Sequence, residues 1–184
     1  MNFNEAFARV IGHEGKFQDD PNDRGNWTTG KIGVGQLKGT KYGISAMSYP
    51  EEDIRNLSLD RARFIYKRDF WDRVSGDHLH NAVVYQLFDA AINHGVGNAI
   101  RFLQRALGVA DDGVMGDITH AAIKTMGVDD LLHRFNAERL EFFTRLSTFD
   151  RYGRGWSRRV AKNMRYAADD YTAPWHEHIN LRAV

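Results

Sequence analysis

Two acidic side chains near the N-terminus have the types and settings that acid–base chemistry requires, and Glu14 is the first of them. One helical face, at spacings of four, three and four residues, carries Phe3, Phe7, Val10 and Glu14. A carboxylate on an apolar face is desolvated, which raises its pKa and allows it to hold a proton near neutral pH. Glu14 is therefore a candidate proton donor. The structural alternative is that it pairs with a cation or caps the backbone of the following loop.

Asp23 is the second candidate. It lies nine residues after the first acid in the sequence DPNDRG, where Pro21 and Gly25 indicate turns. A polar, hydrated turn favours the ionised form of a carboxylate. Glycoside hydrolysis needs this pairing, since one acid protonates the departing sugar oxygen and the other orients water or stabilises the positively charged transition state. Asp19 and Asp20 are alternatives for the second role, and an Asx turn is the structural alternative for Asp23.

The elements that must position these acids are a short helix and a long irregular segment. Gly15 supplies a stop for the helix, and the helical period disappears over residues 17–50, where glycine recurs. A short apolar run in this segment, Ile32, Val34 and Leu37, indicates at most a small hairpin or an ordered loop. Irregular segments of this length inside a compact domain are usually functional.

After Pro50 the apolar residues recur with a helical period. Ser58 is a candidate cap for the first of these helices, which ends near Trp71. Apolar stripes, with Gly95 and Gly108 as stops, predict further helices around residues 84–91, 97–107, 121–126, 131–146 and 156–167. We therefore expect a mainly α fold with a small irregular or β element near residues 28–44.

The composition excludes several classes of protein. The chain has 184 residues, of which 42% are apolar, so it can bury a core, and it has no cysteine for disulfides or thiol catalysis. Eight histidines come without a recognisable set of ligands, so we expect no metal and no other cofactor. The N-terminal sequence lacks the pattern of a signal peptide, and we expect synthesis in the cytoplasm.

Basic residues are concentrated near the C-terminus, although the net charge is only +1. Six of them occur between residues 151 and 165, a stretch that contains no acidic residue: Arg151, Arg154, Arg158, Arg159, Lys162 and Arg165. This pattern predicts either a solvated helix face or a surface for anionic partners. We expect outer-membrane phosphates rather than nucleic acid, and a monomeric protein.

Three motifs in order give the chain a resemblance to a known family. Glu14 at the end of the first helix, then DPNDRG, then GTKYGIS at residues 39–45 resemble the glycoside hydrolase family 108 endolysins over residues 4–95. Lys16 and Phe17 depart from the Gly and Tyr that the family has after its Glu-Gly pair. The resemblance implies an N-acetylmuramidase, mostly encoded by bacteriophages, with a lysozyme-like fold and Glu14 as general acid.

The order Glu14, Asp23, Thr40 is also similar to the catalytic order of phage-type lysozymes. That similarity implies that Thr40 lies across the cleft and helps to place a water molecule. Thr28 and Thr29 compete for this part, because the segment before Thr40 is longer here.

The C-terminal half resembles a helical peptidoglycan-binding region, so we expect a division into residues 1–95 and 96–184, packed as one compact body. In the sequence DDGVMGDIT, the predicted turn that launches a helix contains Asp112, Gly113, Gly116 and Thr119. Three polar residues at four-residue spacing, Tyr85, Asp89 and Asn93, form either a solvated helix face or the wall of a sugar-binding groove. Asp89, Asn93 and the loop residue Tyr42 are the candidate substrate-binding residues.

Together these features predict a lysozyme that hydrolyses the β-1,4 bond between N-acetylmuramic acid and N-acetylglucosamine in peptidoglycan and lyses bacteria. It would accumulate in the infected cytoplasm and act on the wall in the periplasm after release. The alternatives are a lytic transglycosylase, which cleaves the same bond and leaves a 1,6-anhydro end, and a non-catalytic protein that binds the wall or perturbs membranes.

Overall fold

A computed structural model describes residues 1–11 and 16–172. The chain divides into two compact units: residues 4–69 form one, and residues 1–3 with the chain from Phe70 onward form the other. The described residues contain seven α-helices and one two-stranded sheet. The predicted mainly α class is therefore confirmed. No described helix is both long and apolar enough to cross a membrane.

The unit of residues 4–69 has little regular structure. Helix α1 covers Phe3–Ile11, and α2 covers Leu59–Tyr66 and continues into a π-helix at Lys67–Trp71. As predicted, Ser58 caps α2, since its side chain accepts a hydrogen bond from the Arg61 amide. Phe7 packs edge-on against Tyr66 with ring centroids 5.5 Å apart, which ties α1 to α2.

Between α1 and α2 the chain forms a loop around a minimal hairpin. Strands β1, Thr40–Lys41, and β2, Ile44–Ser45, pair antiparallel in the register Thr40 with Ser45. Isolated bridges join Gln18 to Thr40 and Trp27 to Leu37. The small β element expected near residues 28–44 is present, although its strands lie at the C-terminal end of that range.

The other unit is a helical bundle around α3, which covers Asn81–His94 and is buried from Ala82 to Ala91. Helices α4, Val96–Leu107, α6, Val128–Thr144, and α7, Phe149–Thr172, all pack against α3. A shorter helix, α5, covers Asp117–Thr125 and contacts α4.

The apolar core of this bundle extends along α3 and α4 to α6. Leu87, Leu103 and Leu131 are almost completely buried within it. Gly95 and Gly108 end α3 and α4 as predicted, and both have positive φ angles. The predicted boundary between residues 95 and 96 falls between α3 and α4, which lie in the same compact unit. The division into a hydrolase region and a binding region therefore stays a prediction about function.

Candidate active site

The candidate site is a network of polar side chains within the loop that joins α1 to α2. Glu14, the expected proton donor, lies outside the described residues, as does Gly15; α1, which leads to Glu14, is described up to Ile11. The structure therefore bears on the partners that the sequence proposes for Glu14, and these are Asp23 and Thr40.

Asn26 is the centre of this network, and sequence reasoning missed it. Its side chain is completely buried within a loop whose neighbouring residues are mostly exposed. The Asn26 amide nitrogen donates to Gln18 Oε1 at 2.7 Å and to the Asp20 carbonyl at 2.9 Å. Its amide oxygen accepts from Gln18 Nε2 at 3.1 Å and from Thr40 Oγ1 at 2.7 Å. These four bonds satisfy the buried amide, which would be unstable without hydrogen-bond partners. They also hold the segments of the loop around residues 18–20, 26 and 40 together.

Thr40 is half-buried and is held from three directions. Its backbone exchanges two hydrogen bonds with Gln18, of 2.8 and 3.0 Å, and it pairs with Ser45 across the hairpin. Gly39 allows the backbone of Thr40 to pair with that of Gln18, because the φ of Gly39 is +84° and a Cβ there would lie 2.5 Å from the Gln18 carbonyl oxygen. The side chain of Thr40 completes the set by its bond to Asn26.

Asp23 is exposed and lies in the predicted Asx turn, where its Oδ1 accepts from the Gly25 amide at 2.9 Å. Its second oxygen, Oδ2, accepts from Gln18 Nε2 at 3.3 Å. Gln18 therefore links Asp23 to the network of Asn26 and Thr40. Asp23 has the turn role and is also joined through Gln18 to the network that contains Thr40, so the turn interpretation does not exclude the proposed catalytic one.

The alternatives to Asp23 have other partners. Asp19 forms an ion pair of 2.8 Å with Arg55, and the Asp20 carboxylate accepts from the backbone and side-chain amides of Asn22. Among the described side-chain hydrogen bonds, neither carboxylate contacts Gln18 or Asn26. These contacts favour Asp23 as the carboxylate that is joined to the network of Thr40 by a described side-chain hydrogen bond.

The alternatives to Thr40 also have other partners. Thr28 Oγ1 accepts from the Gln36 amide at 3.0 Å, and Thr29 Oγ1 donates to the Val34 carbonyl at 2.7 Å. Both hydroxyls therefore close the loop of residues 28–36. This loop presents Ile32 and Val34 to solvent, at 58% and 50% exposure.

Tyr42, a candidate substrate-binding residue, lies in the turn of the hairpin. Its φ is +52°, and that of the next residue, Gly43, is +75°. Such a pair of positive φ angles is typical of the tight turns that join two strands, and it is unusual for tyrosine. The Tyr42 carbonyl accepts from the Tyr66 hydroxyl at 3.1 Å, and Lys41 Nζ lies 5.5 Å from the Tyr42 ring centroid.

Asp89 has a different role from the one expected from the sequence. It is 1% exposed, and its two oxygens accept from Arg139, Arg159 and Asn163 at 2.6 to 2.9 Å. Burial alone would raise the pKa of Asp89, but the charges of the two arginines and their hydrogen bonds hold it below its usual value. In this structure Asp89 has no free oxygen for a sugar, so its geometry gives no support to a substrate contact.

Asn93 is exposed on α3, and its side chain donates to the Asp89 carbonyl at 2.7 Å. The predicted polar line of α3 is neither a solvated face nor an open groove wall along its length, because Tyr85 and Asp89 are buried. The substrate contact of Asn93 stays a prediction.

The turn expected in DDGVMGDIT is organised by Gln104, a buried residue of α4. Its amide nitrogen lies 2.7 Å from Asp112 Oδ1 and 3.1 Å from Thr119 Oγ1, and its amide oxygen accepts from the Gly113 amide at 2.8 Å. Gly113 has a φ of +78°. These contacts support the turn interpretation of Asp112, Gly113 and Thr119.

Comparison with known families gives two matches. The family model described as "Glycosyl hydrolase 108" matches residues 7–95, and the model described as "Predicted Peptidoglycan domain" matches residues 98–161. The first contains the network around Asn26 and also α3. The second begins within α4 and ends within α7.

A solved structure entitled "Structure of Brucella abortus SagA" is similar to this chain over most of its length. It is 30% identical in sequence with a TM-score of 0.76, and the similarity covers 91% of this chain and 94% of that one. No curated protein matches. This chain belongs to the glycosyl hydrolase 108 family and carries a peptidoglycan-binding region on the C-terminal side of its hydrolase region.

Proposed function

We propose that this peptidoglycan-hydrolysing muramidase is an endolysin that lyses bacterial cells from within. The enzyme class follows from the family. The observation that supports a hydrolytic site is the network in the hydrolase region, where a half-buried hydroxyl, Thr40, and an exposed carboxylate, Asp23, are joined through Gln18 and Asn26. Water activation needs such an acceptor and such a charge, whereas a lytic transglycosylase needs neither.

In the proposed reaction Glu14 donates its proton to the bridging oxygen, O4 of N-acetylglucosamine, as the bond from that oxygen to C1 of N-acetylmuramic acid breaks. A water molecule adds to C1 and gives up one proton, either to Glu14 directly or to Asp23; in the second case Glu14 takes a proton from solvent and Asp23 releases one, which restores the enzyme. Asp23 stabilises the developing positive charge or receives that proton. Thr40 holds the water.

The cellular route is part of the proposal. The enzyme is made in the cytoplasm of the infected cell and reaches the periplasm through a separate membrane lesion. Its C-terminal region then holds it on the glycan strands while the hydrolase region cuts them. Bacteriophage origin and antimicrobial use belong to the same proposal.

A second proposed activity concerns the basic segment on α7. All six of its cations are exposed, and five of them follow one another at spacings of three or four residues along the helix: Arg151, Arg154, Arg158, Lys162 and Arg165. We call these five residues the basic stripe. Arg159 differs because it binds the buried Asp89. A continuous cationic stripe favours contact with the phosphates of the outer membrane.

The proposed reaction is tested by mass spectrometry of the soluble fragments that wild type and Glu14→Gln release from purified peptidoglycan. We expect fragments with reducing muramic acid ends from wild type, and a loss of roughly a hundredfold or more in Glu14→Gln. Fragments with 1,6-anhydro ends would show that the enzyme is a lytic transglycosylase and not a hydrolase. Activity of Glu14→Gln within about tenfold of wild type would remove Glu14 from the acid role.

A further inference from the structure

The hydrogen-bonding direction of the Thr40 hydroxyl is fixed by the groups around Asn26. A backbone carbonyl only accepts hydrogen bonds, and the Asp20 carbonyl lies 2.9 Å from one end of the Asn26 amide. That end must therefore be the nitrogen. The other end, which lies 2.7 Å from Thr40 Oγ1, must be the oxygen.

The orientation of Thr40 follows in turn. The Asn26 oxygen has no hydrogen, so the single hydroxyl proton of Thr40 must lie between them. With its proton used in this bond, the Thr40 hydroxyl can act toward any other group only as a hydrogen-bond acceptor. A water molecule at Thr40 has to donate one of its protons there, which leaves a lone pair of that water free to attack carbon.

Gln18 reinforces this arrangement. Its amide forms a reciprocal pair with that of Asn26, with bonds of 2.7 and 3.1 Å, and its nitrogen also lies 3.3 Å from Asp23 Oδ2. Rotation of the Asn26 amide by half a turn would bring its oxygen against the Asp20 carbonyl oxygen and would pair oxygen with oxygen and nitrogen with nitrogen at the Gln18 amide, whose own orientation is fixed by the bond from the Asp20 backbone N–H to Gln18 Oε1. Because Asn26 is completely buried, solvent cannot compensate for such a mismatch.

We infer that Asn26 is a positioning residue for hydrolysis, which acts by committing the Thr40 hydroxyl to accept a hydrogen bond from the attacking water. This inference rests on the proposed role of Thr40 as the residue that holds the water. It assigns a function to a residue that contacts neither the water nor the sugar.

A double-mutant cycle on kcat with purified peptidoglycan tests the inference, using Asn26→Ala, Thr40→Val and the double variant. Misplacement of a reacting group by about 1 Å can cost on the order of a hundredfold, so each single variant should lose at least about tenfold in kcat. KM should stay unchanged, since neither residue is proposed to bind the sugar. If Asn26 acts through Thr40, the double variant loses no more than Thr40→Val alone.

The matched control is Ser45→Ala, which removes a hydroxyl from the residue paired with Thr40 across the hairpin. Ser45 hydrogen-bonds to Ser48 and has no side-chain bond to Asn26 among the described contacts. It should retain the wild-type kcat. Gln18→Ala is a second probe at an exposed position, in case Asn26→Ala does not fold, and it should lower kcat while the variant still folds and melts cooperatively.

Two outcomes would overturn the inference: wild-type kcat in Thr40→Val, or losses from Asn26→Ala and Thr40→Val that multiply in the double variant. Where Asn26→Ala does not fold, unchanged kcat in Gln18→Ala would do the same. These outcomes leave the proposed muramidase intact, provided that wild type releases reducing ends and Glu14→Gln does not. Absence of reducing ends from wild type would instead refute the proposed reaction itself.

Discussion

A carboxylate oxygen of Asp89 lies 2.7 Å from a guanidinium nitrogen of Arg139, and the two side chains are 1% and 0% exposed. The pair joins α3 to α6 inside the helical bundle. Arg139 depends on this partner, because its Nε and Nη1 atoms are buried and have no hydrogen-bond partner among the described residues. Removal of the carboxylate would therefore leave an uncompensated charge in the core.

We predict that Asp89→Asn lowers the free energy of unfolding by about 3 kcal/mol or more, because it leaves Arg139 charged and buried. Urea denaturation measures the change. The matched control is Glu141→Gln, which breaks the exposed Arg145–Glu141 pair of 2.9 Å on α6. That variant should lose no more than about 1 kcal/mol. Equal losses in both variants would contradict the importance of burial.

His94, which lies in the same unit, predicts a pH dependence. Burial lowers the pKa of His94 from 6.5 to about 4, and the positive charge of Arg139 acts in the same direction. Between these pH values the unfolded chain binds a proton that the folded chain does not. The free energy of unfolding should therefore fall as the pH falls from about 6.5 to about 4.

His94→Phe provides the comparison, since it removes the titrating group from a cage formed by Phe102, Phe142 and Phe143. The difference in unfolding free energy between variant and wild type should change with pH across this window. A difference that is constant from pH 7 to pH 4.5 would show that His94 does not titrate as expected.

The next prediction concerns the turn held by Gln104. Gln104→Leu removes the partner of the Gly113 amide and of the Asp112 carboxylate, and we expect a loss of about 1–3 kcal/mol. Hydrogen exchange should accelerate at the amide of Gly113. A protected amide in the folded variant would mean that the turn forms without the side chain.

The adjacent residues Arg158 and Arg159 should contribute differently to the stability of the fold. Arg159→Gln removes a two-pronged contact with Asp89, of 2.8 and 2.9 Å, and should cost about 1–2 kcal/mol. Arg158→Gln removes a charge of the basic stripe and should change stability by no more than about 0.5 kcal/mol. Thermal melts compare the two. A greater loss in Arg158→Gln would show that the stripe contributes to folding.

The basic stripe itself is tested with Arg158→Gln combined with Lys162→Gln. We expect weaker lysis of intact Gram-negative cells and unchanged activity on purified wall, because only the first substrate has an outer membrane. High salt should weaken the wild-type effect on cells in the same way. Equal loss on both substrates would indicate a folding defect or a role in wall binding.

Tyr42 offers a test of substrate contact that is independent of the acids. A positive φ disfavours tyrosine and suits asparagine, so Tyr42→Asn should raise stability by up to about 1 kcal/mol. If the ring is a platform for sugar, the same variant should raise KM. Tyr42→Phe keeps the ring and should leave KM unchanged. Unchanged KM in Tyr42→Asn would exclude the platform.

The helices were predictable from the sequence because their signals are local. The Ser58 cap and the glycines at 95 and 108 mark real ends, and the apolar stripes predicted the helices to within a few residues. Two errors were larger: α5 begins at Asp117 rather than near residue 121, and α7 extends from Phe149 to Thr172 rather than over residues 156–167.

The polar networks could not be predicted because their contacts are distant in sequence. Asp89 was recognised as polar, but its partners Arg139 and Asn163 lie 50 and 74 residues away. Asn26 did not stand out as a single residue, since an asparagine in a glycine-rich segment is typical of a turn. Its importance depends on a loop path that brings Gln18 and Thr40 to it. A clue was available only in the density of amide and hydroxyl side chains around residues 18–40.

The way in which the loop of residues 16–47 is braced limits how this enzyme can be redesigned. Its path is maintained by amide and hydroxyl bonds between Gln18, Asn26 and Thr40, and by the approach of Gly39 to the Gln18 backbone. Replacement of a few residues of this loop by those of a relative would leave buried hydrogen-bonding groups without partners. Chimaeras between relatives should therefore transfer the whole loop as one cassette, and directed evolution should find most accepted changes outside it.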